Sequence, residues 1–287
     1  MSDQKTNKKR PTKKYGSKPE RSGKFEQKPV VKTQQNKQTA GKSQAIKATE
    51  GVRLNRYLAN AGICSRREAD KYIESGIVSI NNKVITELGT KVKYGDVVKF
   101  NDQTLVPEKK TYILLNKPKD YVTTLDDPHA EKIVTDLIKN GCKERVYPVG
   151  RLDKATTGLL LLTNDGELTE FLAHPRNNKK KIYQATLDKP ATKEDLQKLF
   201  DGITLDDGAI KADAIDYCNP EDKKEIGVEI HSGKNRVVRR MFEHLGYRVK
   251  KLDRVYFAGL TKKNLPRGKW RFLSEKEVVM LKRGSFS

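Results

Sequence analysis

The amino-acid sequence predicts an α+β protein: a small module, then a larger one built on a mixed, mainly antiparallel sheet. Three observations carry that reading. Short alternating or apolar runs are joined by hairpin-type pairs, Asn81-Asn82 and Asp207-Gly208. Between such runs lie amphipathic stretches with polar caps and glycine stops, at Gly62, Gly76, Gly202 and Gly246. Composition also changes abruptly near residue 50.

Residues 1–50 hold 14 of the chain's 59 Lys and Arg and 4 of its 37 Asp and Glu. After Met1, Phe25 is their only Phe, Leu, Met or Trp. So little apolar surface cannot offset the entropy of ordering, which predicts a disordered basic arm. The arm suits either electrostatic capture of phosphates or a solubilising tail. The remaining residues carry +12 of the chain's net +22, so the folded part is basic as well. Such charge points to a polyanion, nucleic acid first.

Other classes are disfavoured. No run approaches the roughly 18 apolar residues of a membrane span, and the N-terminus lacks the apolar centre of a secretion signal. Cys64, Cys142 and Cys218 are odd in number and scattered, as in a reducing, cytoplasmic compartment. His129, His174, His231 and His244 have no metal-ligand spacing, and no phosphate-cradling glycine loop appears. The expectation is chemistry by side chains alone, with no metal and no cofactor.

Residues 51–108 read as the small module. Leu54, Leu58 and Ala61 make a short helix stopped by Gly62. Ser65 and Glu68 form a capping box for a second helix, with Ala69, Tyr72 and Ile73 on one face and Gly76 at its end. Ile77–Ile80 and Lys83–Ile85 flank the Asn81-Asn82 turn, and Tyr94-Gly95-Asp96 introduces the strand Val97–Phe100. Arg53, Arg56, Arg66, Arg67 and Lys71 cluster on and around the two helices. Cations in a helix's first turn oppose its dipole, which hints at a phosphate partner. A solvated basic face is the plainer explanation.

Pro107–Lys110 reads as a linker into the larger module, residues 109–287. Tyr112–Leu115 is a buried strand ending at Asn116-Lys117-Pro118, and Ile133–Ile138 a helix stopped by Gly141. Leu159–Leu162 is an apolar strand, closed by the turn chemistry of Asn164-Asp165-Gly166. Lys181–Leu187 alternates as a strand, and Thr192–Phe200 is a helix with a Thr192/Asp195 cap. Asp207-Gly208 joins Ile203–Leu205 to Ala209–Ala212. Ile226, Val228 and Ile230 share one face of a strand, and Arg236–Leu245 is a helix stopped by Gly246.

The chemistry concentrates in residues 150–166. Asp153 lies between Arg151 and Lys154 on a loop anchored by the leucine strand. A carboxylate on a rigid anchor suits nucleophilic or acid–base work, although a surface turn with an ion pair has the same local features. Tyr183 shares the inner face of its strand with Ala185 and Leu187, and Lys179-Lys180-Lys181 precedes it. That combination suits a base stacked on a ring with phosphates on lysines, or simply a core tyrosine. Arg239 lies on the flank of the apolar stripe of its helix, beside Phe242, where its stem can pack while its head reaches a carboxylate.

The run Gly150-Arg151-Leu152-Asp153, followed by Thr156, Gly158, Leu159–Leu162 and Thr163-Asn164-Asp165-Gly166, resembles the signature of pseudouridine synthases of the RsuA/RluB type. Lys181-Ile182-Tyr183 is similar to that family's K-x-Y motif, and the segment around Arg239 to its third motif. Residues 53–81 resemble an S4 RNA-binding domain, whose arginine-rich second helix would lie on structured RNA. Two departures stand out: Val237 where the family often has Gln, and Lys117-Pro118-Lys119-Asp120 where it usually has K-P-x-G.

The resemblance implies a bacterial, monomeric RNA pseudouridine synthase, an isomerase acting in rRNA processing and ribosome biogenesis. It implies Asp153 as catalytic carboxylate, Tyr183 against the target base, and Arg239 paired with Asp153. Arg151, Lys181, Ile230 and Arg236 would contact substrate. The implied partner is ribosomal RNA, large-subunit RNA first, or a pre-ribosomal particle. A non-catalytic RNA-binding or ribosome-assembly factor is the alternative that the charge and the S4-like module would equally suit.

Overall fold

In a computed structural model, residues 51–125 and 127–284 are described; the basic arm read over residues 1–50 lies outside them. The first part is two helices on a small sheet. Helices α1 (Leu54–Asn60) and α2 (Arg66–Glu74) bury Leu54, Leu58, Ala69 and Ile73 in one core with Val78 and Val98. Ser65 accepts from the Glu68 amide while the Glu68 carboxylate accepts from the Ser65 amide, the reciprocal cap read from the sequence. Strands β1 (Val78–Ile80), β2 (Lys83–Val84), β3 (Val98–Phe100) and β4 (Gln103–Thr104) form an antiparallel sheet in the order β2-β1-β3-β4. Asn81 and Asn82 take φ of 51° and 64°, the left-handed pair that matches hairpin twist. Asn101-Asp102 repeats the device at 47° and 62°, making a second hairpin beyond the one the sequence predicts here.

The second part is built on one mixed sheet. Its main strands are β5 (Tyr112–Lys117), β6 (Thr157–Thr163), β7 (Lys181–Leu187), β8 (Ala214–Tyr217), β9 (Glu225–Ile230), β10 (Val249–Phe257) and β11 (Trp270–Phe272). They run in the order β8-β9-β7-β10-β6-β5-β11. Every neighbouring pair is antiparallel except β10 with β6. That parallel junction depends on Gly158, at φ +105°, where a Cβ would strike the Arg254 carbonyl oxygen and the Asp253 carboxylate.

Helices cover both faces. On one side α4 (Lys193–Asp201) and α5 (Val237–His244) close a core with Leu160, Leu162, Tyr183 and Val228. On the other, α3 (Gly166–Ala173) and α6 (Glu275–Arg283) pack with Leu159, Leu161 and Tyr112. This explains why β6 reads as an unbroken leucine run: a strand covered on both faces has no solvent side to keep polar. Each of those leucines is fully buried and contributes roughly 1.5–3 kcal/mol before ordering costs.

Three local expectations change. The helix expected over Ile133–Ile138 is a single 3-10 turn, Val134–Leu137, because Ile133 is extended and bridges Val122. The second hairpin turns one residue earlier, at Asp206-Asp207, with Gly208 paired to Leu205 at φ +103°. Asp165 does more than close a turn: it caps α3, accepting from the Leu168 amide at 3.3 Å, and receives the Tyr112 hydroxyl at 2.7 Å.

Candidate active site

Four segments meet around a cleft of about 150 Å³. They are the loop ahead of β6, the start of β7, the middle of β10 and the start of α5. Leu152, Val238 and Leu252 supply apolar wall, and Asp153, Lys181, Tyr183, Arg236 and Arg254 supply polar and aromatic groups. Such a volume suits one small flat ring rather than a stretch of polymer.

The loop carrying Asp153 is held from beneath by Lys117, the last residue of β5, which is completely buried. Its Nζ donates to the carbonyls of Thr156 at 2.8 Å, Asp153 at 3.1 Å and Lys154 at 3.3 Å. Burial pushes the Lys117 ammonium down to about 8, against the opposing pull of Asp153 and Asp120. Thr123 donates its hydroxyl to the Leu152 carbonyl at 2.8 Å from the other side. Asp120, where the related motif usually has glycine, takes φ +70° and donates its amide to the Lys154 carbonyl. Aspartate tolerates that left-handed geometry better than most residues, so the departure is accommodated. The Asp153 side chain itself is about a third exposed, with the Thr156 hydroxyl 3.5 Å away.

Arg239 reaches this carboxylate from α5. Its Nε lies 4.0 Å from Asp153 Oδ2, which is ion-pair range without a hydrogen bond. Its Nη1 donates to the Val249 carbonyl at 2.9 Å, while Nε and Nη2 have no hydrogen-bond partner among the described residues. Burial, then the Arg236 cation, lower its pKa from the usual guanidinium value, and Asp153 works against both. The sequence neighbours Arg151 and Lys154 make no such contact with Asp153 among the described residues; both are exposed.

The remaining expected positions separate. Tyr183 and Lys181 line the cleft, and Arg151 and Arg236 stand exposed at its edge. Arg236 caps α5 in a left-handed conformation, φ 49°, with its guanidinium 3.4 Å from Glu243. Ile230 does not line the cleft: it is fully buried in the main core, paired with Lys181 across β7 and β9. Sequence reasoning missed Lys117 and Arg254. Lys117 follows four apolar residues and Asn116, and a cation ending that run was the one available signal. Arg254 has no local signal, since β10 brings it in from more than 90 positions away.

The basic residues of the first part face outward on α2: Arg66, Arg67 and Lys71 are exposed, as is Arg53 ahead of α1. Arg56 is different. Its Nη2 lies 3.4 Å from Glu167 at the start of α3, so it ties the two parts together. Glu108 adds to that tie, accepting from the Asn164 side chain and donating its amide to the Asn60 carbonyl.

Comparison with known proteins identifies the family. The profile of the family "RNA pseudouridylate synthase" matches residues 111–244, and that of the S4 domain residues 52–98. The chain is 42% identical over 233 residues to the ribosomal large subunit pseudouridine synthase B of Bacillus subtilis, covering 80% of this chain and 95% of that one. It is 40% identical over 237 residues to the dual-specificity RNA pseudouridine synthase RluF of Escherichia coli K12, covering 80% and 78%. A crystal structure of a pseudouridylate synthase superposes with a TM-score of 0.58 at 27% identity, over 80% of this chain and all of the other. The chain therefore belongs to the RNA pseudouridine synthases, those of the RsuA/RluB type that carry an S4 domain ahead of the catalytic domain.

Proposed function

We propose that this enzyme converts a uridine of ribosomal RNA, in the large subunit, to pseudouridine, with Asp153 as the catalytic carboxylate. The observation that carries the assignment is that Asp153 is the only acidic residue lining the cleft among the described residues, set over an apolar and aromatic floor. The large-subunit preference follows the name of the Bacillus subtilis relative.

The target uridine has to leave its stack to expose the glycosidic bond. Tyr183 then holds the base, and Asp153 acts on the ribose as nucleophile or base. Arg239 orients Asp153 across the 4.0 Å contact. Arg151, Lys181 and Arg236 meet the nucleotide, and Ile230 supports Lys181 from the core. Arg53, Arg66, Arg67 and Lys71 grip RNA phosphates around a domain division near residue 108, with Arg56 sharing its charge with Glu167. The reaction is read as needing no cofactor or metal, on a monomer working on ribosomal RNA or a pre-ribosomal particle in the cytoplasm.

Two measurements test this. Pseudouridine mapping of all RNA from cells with and without the chain should lose a site in large-subunit RNA. Purified Asp153→Asn should bind RNA nearly as wild type and form no pseudouridine. Turnover by that variant at a rate near wild type would sink the catalytic assignment.

A further inference from the structure

Two cations on the cleft wall, Arg254 buried and Lys181 half-buried, have no ion-pair partner among the described residues. Arg254 is 3% exposed, with its guanidinium 4.6 Å from the Phe257 ring centroid. Its Nε donates to the Leu159 carbonyl at 2.8 Å, and its Nη2 is buried with no hydrogen-bond partner among the described residues. Lys181 sits on the adjoining strand, where Tyr183 pairs with Arg254 and Lys181 with Phe257. The Lys181 ammonium donates to the carbonyls of Lys179 and His231.

Other charges nearby are already engaged. Asp213, ahead of β8, has its carboxylate 2.8 Å from the His231 ring. Glu229 on β9 holds Lys180 at 2.8 Å, and Lys179 lies over the Phe171 ring. Two like charges, one buried and one half-buried, thus face each other beside the tyrosine of the cleft. Unpaired buried cations are costly, and a site keeps them where negative charge arrives or develops. Phosphates have exposed cations at the edge, Arg151 and Arg236. The interior position beside Tyr183 is where a base, not a backbone, would lie.

We propose that Arg254, together with Lys181, carries the negative charge that the uracil acquires as it leaves the ribose. The proposal rests on the isomerisation reading and adds a charge-stabilising residue to it. When the C1′–N1 bond breaks, both of its electrons go to N1, and the charge spreads onto the ring oxygens. C1′ is meanwhile satisfied either by a bond to the Asp153 carboxylate or by loss of the C2′ proton to it. After rotation, C5 forms the new bond to C1′, Asp153 is released or returns the proton, the C5 proton leaves and N1 is protonated. No oxidant, reductant or co-reactant enters. On either route the base is anionic between departure and return, and that is when Arg254 and Lys181 act.

Lys181 supplies a titration that reports on the pair. Burial first, and then Arg254, push its ammonium down to about 8, with Asp213 opposing. It is charged below that pH and neutral above, so the saturated rate should fall as pH rises through about 8.

The test uses the full chain and ribosomal RNA from cells lacking it, under single turnover at saturating enzyme. Wild-type turnover is measured first, so a failure of the isomerisation reading shows before any variant is compared. Arg254→Gln should lower the saturated rate by about 100-fold, the scale of losing one pre-set charge-stabilising donor, with RNA affinity nearly unchanged. Arg254→Lys should recover most of that loss. In Arg254→Gln the alkaline fall should move to higher pH, because the repulsion on Lys181 is gone. A variant with weaker RNA binding, a smaller salt slope and an intact saturated rate would make Arg254 a phosphate grip and overturn the proposal. A lowered rate with an unmoved alkaline fall would reduce Arg254 to packing and overturn it too. Should Arg254→Gln fail to fold, Lys181→Met decides, because Lys117 beneath the Asp153 loop is also pushed down to about 8 and gives an alkaline fall of its own: a saturated rate lowered at pH 7 with RNA affinity kept supports the pair, and an unchanged rate refutes it.

Discussion

Arg239 and Asp153 allow a quantitative test of how this active site is assembled. Their closest approach is 4.0 Å, with no hydrogen bond between them, so the interaction is a charge–charge one. At that distance two unit charges interact by about 4 kcal/mol at the effective dielectric of a protein surface and by about 1 kcal/mol in water. The Arg239 side chain is 8% exposed and Asp153 32%. Screening on the aspartate side brings the expected coupling to about 1–2 kcal/mol. The perturbation is a double-mutant cycle of Arg239→Met and Asp153→Asn, read by urea unfolding. Arg239→Met also orphans the Val249 carbonyl it now serves at 2.9 Å, so that single change should cost about 2–4 kcal/mol in all. The double variant should then lose about 1–2 kcal/mol less than the two singles added together. Raising salt should shrink this coupling only modestly, because one partner is buried. A coupling within about 0.3–0.5 kcal/mol of zero, the ordinary additivity limit, would refute the ion pair as an organising contact.

Lys117→Met removes a buried charge but orphans the Thr156 carbonyl, so stability should stay within about 2 kcal/mol of wild type while pseudouridine formation falls sharply. The folded Lys117 pKa is depressed to about 8 from an ordinary value near 10.5, so below pH 8 the charged form weakens the fold and stability recovers as pH rises between those values; denaturation midpoints against pH should show that rise in wild type and lose it in Lys117→Met. Glu277 is held down at about 2, chiefly by Arg271, whose guanidinium it meets at 2.7 and 2.8 Å. Its contribution is present above about pH 4.3, the ordinary glutamate value, and is lost as pH falls through 2. Glu277→Gln should therefore cost about 1 kcal/mol at pH 7, discounted for the exposure of Arg271, and flatten the acid limb of a thermal unfolding series. Deleting residues 1–108 should weaken RNA binding and lower its log–log salt slope by roughly 0.7–0.9 for each phosphate no longer neutralised, with some turnover left at high RNA concentration; an unchanged slope would assign the grip to the catalytic domain alone.

Legibility in the sequence differs from element to element. The strand Lys181–Leu187 and the caps at Ser65 and Thr192 are readable, because alternation and capping are local physics that neighbours in sequence satisfy. The strand Val249–Phe257 is not: Lys250, Lys251, Asp253 and Arg254 break its pattern, and Asp253 and Arg254 are held there by side chains and carbonyls outside the strand. Helix α6 lies outside the sequence-based expectations, although its cap at Ser274 uses the same device as Ser65. At the site, Asp153, Tyr183 and Arg239 can be nominated from motif positions. The assignment of Ile230 to substrate contact depends on resemblance, and Ile230 is found within the core behind Lys181.

The sequence by itself determined the class of partner, the two-module order, the caps and turns, and the family to which the signature belongs. These follow from charge, from hydrophobic period and from short-range hydrogen bonding, all of which act along the chain. Only the tertiary structure decided what surrounds Asp153. Its cationic neighbour is neither Arg151 nor Lys154, close beside it in sequence, but Arg239 from a helix far along the chain, a partner that the family resemblance implies and that local sequence does not. Its loop rests on Lys117, and the cleft beside it is walled by Arg254. Both depend on the order of strands in the sheet, and in particular on the parallel junction that Gly158 permits. Long-range strand pairing leaves no trace in any short window of sequence, because the contacts that reward it are made only once distant strands have met.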